Sequence, residues 1–189
     1  MTVTYFKVGD VELFLTYVRG MPQGWEEKLN KLRGLFQGVY IQAVNGHSII
    51  DAEHAGHVAF NVLQAHRFGY NKLKNAEAES IMNLAFKNSF AEALQLVGVK
   101  SDCPVALFSF SRMADVASNA LKKVIKELNV EQIEPQSFQG ESVAWLAKSF
   151  SLEANRDITT LKKLLIERSS VFYAKYRAHP PNSKPSLET

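Results

Sequence analysis

The segment Val11 to Val18 reads VELFLTYV, and both of its alternating sides are largely apolar: Val11, Leu13, Leu15 and Tyr17 on one, Phe14 beside Glu12 and Thr16 on the other. A strand with that pattern is covered on two faces, which limits the chain to a layered fold. Pro104 to Phe110, PVALFSF, is more apolar still and reads as the central strand. Val39 to Val44 adds a short strand, closed by an Asn45-Gly46 turn.

Helical spacing fills the intervals. Trp25 to Phe36 turns Trp25, Leu29, Leu32 and Phe36 inward, and Asp51 is placed to cap a helix whose buried side holds Ala55, Val58, Ala59, Val62, Leu63 and His66. Gly69 stops that helix. A polar, basic loop follows (Asn71, Lys72, Lys74, Asn75), and Met82, Leu84 and Phe86 then alternate, which predicts a strand from Ser80 to Phe86. Ser89 and Glu92 form a capping box for a short helix to Val97, with Gly98 expected as a left-handed stop. Further helices are expected near Met113 to Leu128, from Glu141 to Phe150, and from Asp157 through Ile158, Leu161, Leu165 and Phe172. The expectation is an α+β fold: a small mixed, largely antiparallel sheet of about four strands packed with about six helices. One domain spans 1–178, and a Pro-rich tail, 179–189, is expected to be disordered.

At 189 residues, with 46% apolar and 22% charged side chains, the chain suits a single core. Its one cysteine, Cys103, cannot form an internal disulfide, which fits a reducing compartment. No apolar run approaches the ~20 residues of a membrane span, so no membrane association is expected. The net charge of +3 is unevenly spread: between Arg156 and Lys184 seven basic residues (Arg156, Lys162, Lys163, Arg168, Lys175, Arg177, Lys184) face two acidic ones, +5, and the remainder is −2. A basic C-terminal helix suits phosphate; a solvated face kept for solubility reads equally well.

Glycine-rich phosphate loops of the G-x-x-x-x-G-K-[ST] and G-x-G-x-x-G kinds are absent, so neither nucleotide catalysis nor a cofactor is expected. His54 and His57 sit three apart without a third ligand at metal spacing, and a solvated helix flank is the favoured reading. His66 reads as structural. Glu77 and Glu79 beside Lys74 read as a salt-bridged strand entrance. Arg67, Lys72 and Lys74 around one loop, with Tyr70 close by, combine cations and a ring as single-stranded nucleic acid requires.

The order from Gly69 onward (the loop with Lys72 and Lys74, Glu79 before Ile81-x-Asn83-Leu84, Asn88, Glu92-Ala93-Leu94, and Gly98-Val99 leading to a buried strand) resembles the TPRKB or Cgi-type small-subunit family of the KEOPS (EKC) complex. The likeness is gapless from Gly69 to Phe110 and can be followed from Val11 to Arg177. It implies a non-catalytic subunit in cytoplasm and nucleus that binds and stimulates an atypical kinase/ATPase. Through that kinase it meets the transferase making threonylcarbamoyladenosine beside the anticodon of tRNA. Archaeal members of that family grip the CCA end of tRNA.

On this resemblance the tRNA-facing candidates are Arg67, Lys72, Lys74, Asn75, Lys162 and Lys163, and the kinase-facing candidates are Val143, Trp145, Leu146, Phe150 and Leu161, with Trp145 expected to be exposed. Ala76-Glu77, where serine or threonine is usual, and the longer tail depart from the family pattern. A protein-only adaptor, or a small enzyme with a site assembled from dispersed histidines and acids, are the competing readings.

Overall fold

The computed structural model describes residues 2–152 and 157–174. Five strands form one antiparallel sheet: β1 (Thr4–Val8), β2 (Val11–Val18), β3 (Tyr40–Asn45), β4 (Val105–Ser111) and β5 (Gln132–Ile133). The order is β1-β2-β4-β3, and β5 extends the β1 side by pairing Ile133 with Tyr17 and Gln132 with Val18. In β2 and β4 the register sets Leu13 opposite Phe110 and Leu15 opposite Phe108. No residue of β4 is more than 2% exposed, as its unbroken apolar text requires.

Seven α-helices are found among the described residues: α1 (Trp25–Arg33), α2 (Ala52–Phe68), α3 (Ala76–Ala85), α4 (Phe90–Val97), α5 (Ala114–Leu128), α6 (Gln139–Ser149) and α7 (Ile158–Val171). They form three layers with the sheet. Leu13, Leu15, Tyr17 and Phe108 pack beneath α2, α3, α6 and α7, whereas Ile41, Ala43 and Leu107 meet α1 and α5 on the other face. Helix α2 lies so close to the β1–β2 hairpin that a Cβ on Gly56 would overlap the Phe6 ring.

Several expectations hold in detail. The Asp51 side chain accepts from the His54 amide, and Gly69 closes α2 in the left-handed conformation (φ 74°). Ser89 Oγ accepts from the Glu92 amide at 3.4 Å. The expected strand at Ser80 to Phe86, however, is helix α3. The Asn75 side chain caps it by accepting from the Ala78 amide, and Glu77 and Glu79 occupy its first turn. The spacing misled because α3 is buried almost all round, with Ile81, Met82, Asn83, Leu84 and Ala85 all inside, so no face stands out. Gly98 is extended (φ −64°) rather than left-handed; glycine is needed there because a Cβ would strike the Leu94 carbonyl. Strand β1 was not expected at all. Arg156, Lys175, Arg177, Lys184 and the tail 179–189 lie outside the described residues.

Candidate functional site

Strand β3 is the end of the sheet, and its outward backbone groups would be open to pairing with another chain. Here side chains occupy them. Arg33 Nε donates to the Ile41 carbonyl (2.9 Å), its Nη2 donates to Gln42 Oε1 (3.0 Å), and that same oxygen accepts from the Ala43 amide (2.9 Å). Gln42 Nε2 in turn donates to the Glu77 carbonyl (2.8 Å), tying the edge to α3. Burial raises the Glu77 carboxyl above its ordinary value, opposed by hydrogen bonds from its own amide and that of Ile41 and by the charge of Arg33.

Above this edge runs a groove of 500 Å³, within the range of small-ligand clefts (~300–1,000 Å³). Trp25 and Arg33 come from α1, Asn75 and Glu77 from the start of α3, and Phe90 and Leu94 from α4. Phe90 (38% exposed) and Leu94 (46%) leave apolar surface toward solvent. A second, shallower cleft of 670 Å³ shares Trp25, Glu26 and Val99 with the groove and adds Lys100 and the Arg19–Glu131 ion pair.

Six cationic or amide residues were expected to face tRNA, and the structure sets them in three places. Lys74 and Asn75 are exposed, and Asn75 lines the groove. Lys72 shares their loop but turns to the end of α7: its Nζ lies 3.2 Å from the Phe172 ring centroid and donates to Asn88 Oδ1 (2.7 Å). Arg67 pairs with Asp10 (3.7 Å) at the far end of α2. Lys162 joins α7 to the start of α2 through Asp51 (2.9 Å) and Glu53 (2.5 Å), while Lys163 beside it is exposed. From Glu53 to Arg67 a helix climbs ~20 Å, so these cations do not share one patch.

The carboxylates also differ from expectation. Glu79 is not a strand-entrance ion pair: fully buried, it accepts from the backbone amides of Lys72 (3.0 Å) and Leu73 (2.6 Å) and so shapes the basic loop. Nor is His54 a solvated flank. It is 1% exposed, and burial pushes its pKa down to about 4 against the attraction of Asp51. His57 is half-buried against Phe6. Among the described residues no group of three or more His, Cys, Asp or Glu is arranged to hold a metal ion.

The kinase-facing candidates lie on or beside α6 and α7. Helix α6 is anchored by His47 Nδ1 and Ser142 Oγ (3.0 Å), and burial holds His47 below its ordinary pKa. Leu146 and Leu161 are inside the core and Phe150 nearly so. Val143 and Trp145 are half-buried, Trp145 standing edge-on to Phe150 with 6.2 Å between centroids. Trp145 is thus less exposed than the sequence led one to expect, and of the five only it and Val143 offer appreciable surface.

Sheet, helical layers and edge groove define a three-layer α+β protein. The chain belongs to the CGI-121 family: a family model described as kinase binding protein CGI-121 matches residues 28–171, which include the whole groove except Trp25 and Glu26. No curated protein matches the chain.

Proposed function

We propose that this chain is the small, non-catalytic subunit of a KEOPS-type assembly, binding and stimulating an atypical kinase/ATPase and helping to recruit tRNA for threonylcarbamoyladenosine formation. The transferase subunit is met only through the kinase. The observation that carries the RNA half of this reading is the β3-edge groove, in a chain of the CGI-121 family. It joins two aromatic rings, Trp25 and Phe90, to hydrogen-bonding groups on Arg33, Asn75 and Glu77, with Lys74 just outside. Unstacked bases at a single-stranded end require rings to stack on, polar groups for their edges and cations for the backbone. A CCA end is such a segment, and Lys100 in the adjoining cleft adds a second lysine beyond Lys74.

For the kinase, the half-buried Val143 and Trp145 on α6 form the contact, while Leu146, Phe150 and Leu161 support them from beneath. Two measurements test the two halves separately. Trp145→Ala, normally folded, should weaken kinase binding by about 2 kcal/mol, and an unchanged affinity would remove α6 from the interface. The isolated protein should bind intact tRNA more tightly than tRNA trimmed of its CCA end; equal binding, or none, would favour an adaptor without an RNA role. Turnover of ATP or carbamoyl transfer by the isolated chain would overturn the non-catalytic reading.

A further inference from the structure

A separate cavity of 460 Å³ opens where the end of α2 meets the start of β3 and the turn from β4 into α5. Tyr40, Leu63 and Met113 give it apolar walls, and Arg67 and Arg112 flank it. Both guanidinium groups reach one oxygen of Asp10, Arg112 at 3.0 Å and Arg67 at 3.7 Å. The three side chains stay about half exposed, at 53% (Arg67), 48% (Arg112) and 41% (Asp10), so the pair is held in place while facing solvent. One carboxylate against two guanidinium groups leaves a net +1. Met113 in the lining is 49% exposed, and Phe68, next in sequence to Arg67, is 61% exposed, with Arg67 over its ring at 5.5 Å. Exposed Arg, Met and aromatic side chains around a concavity are the composition of protein-binding surfaces. His66 also lines the cavity, and its Nε2 has no hydrogen-bond partner among the described residues.

We propose that this cavity receives the C-terminal residue of a protein partner, its apolar side chain entering beside Tyr40, Leu63 and Met113 while its carboxylate lies across Arg67 and Arg112. A net +1 matches a monoanion better than a phosphate dianion. A chain terminus also carries carboxylate and side chain on one carbon, which suits cations placed at the edge of an apolar cavity, and capture of a terminal carboxylate is a recurrent recognition mode. The proposal is independent of the kinase and tRNA reading, since neither the groove nor α6 contributes to this cavity.

The test is titration of the full chain, at low salt, with three probes, an N-acetylated hexapeptide ending in leucine, the same peptide as its C-terminal amide, and octanoate, and with a CCA trinucleotide as competitor. The free acid should bind at least about tenfold more tightly than the amide, as loss of a charge-assisted pair requires. Arg112→Ala should weaken the acid and leave thermal unfolding unchanged. Asp10→Asn, which releases a competing carboxylate, should tighten the acid severalfold and leave the amide unaffected. Equal binding of acid and amide, absence of binding, or indifference to Asp10→Asn would overturn the proposal. So would octanoate binding as tightly as the peptide, which marks a site for small organic acids, or a CCA trinucleotide displacing the peptide, which assigns the cavity to RNA.

Discussion

Helix α3 borders two regions built on opposite terms. On one side it meets α2, α7 and the loop before it across a seam in which the polar groups find one another: Asn61 Nδ2 donates to Ser169 Oγ (3.0 Å), Ser169 Oγ to Asn83 Oδ1 (2.5 Å), Asn83 Nδ2 to the Ser169 carbonyl (3.2 Å), and Glu79 takes two amides. On the other side, Glu77 and Ile81 face the groove, where Phe90 and Leu94 remain open to solvent. Buried polar groups satisfied in this way fix one arrangement, and half-exposed rings above a capped strand edge leave room for a partner. The contrast separates positions that hold the fold from positions free to bind.

The largest effect should come from the seam. Glu79→Ala leaves the Lys72 and Leu73 amides without their carboxylate, and denaturant unfolding should show a loss of roughly 3–5 kcal/mol; a loss under about 1 kcal/mol would mean that the loop shapes itself. The start of the same seam, where α7 meets α2 through Lys162, also holds His54. Its folded pKa of about 4 lies below the ordinary imidazole value near 6.5. Between those two pH values the unfolded chain binds a proton that the folded chain refuses, so this contribution is complete above pH ~6.5 and is lost as pH falls toward 4. The loss amounts to about 3 kcal/mol at most. Stability curves of wild type and His54→Gln should therefore converge as the pH is lowered through this window, and parallel curves would deny His54 that role.

The groove should behave oppositely. Phe90→Ala should cost tRNA affinity of about 1–3 kcal/mol, the worth of one stacked base, while changing stability by little. If stability falls and tRNA binding does not, the groove belongs with the core. The smallest effect divides the basic loop itself: Lys74→Ala should flatten the slope of log affinity against log salt by about 0.7, whereas Lys72→Ala should cost about 0.5–1 kcal/mol of stability through its lost ring contact.

What the sequence made legible follows the same division. Strands β2 and β4 were readable because both of their faces are apolar, and α2 because its cap, face and stop agree. Strand β1 escaped because it is only five residues long and shallowly buried: Phe6 and Val8 alternate with exposed Tyr5 and Lys7 but are themselves only half-buried. Helix α3 escaped because uniform burial erases periodicity. In the groove, Asn75 stands out for its loop, but Trp25 and Arg33 on α1, Gln42 on β3 and Phe90 on α4 come from three different elements, and no local spacing announces that they meet. Lys72, Arg67 and Lys162 were read as cations available to phosphate, and only the fold discloses the ring, aspartate and glutamate that each of them engages.

The register of the central strands also has a bearing on synthesis. Glu12 pairs with Ser111 and Val18 with Val105, so β2 must wait for a partner that lies some ninety residues further along the chain. At roughly 5–20 residues per second, translation leaves an interval of about 5–20 s. During it a strand apolar on both sides has only β1 as a sheet neighbour. The nascent chain is therefore most exposed to mispairing before Pro104 emerges.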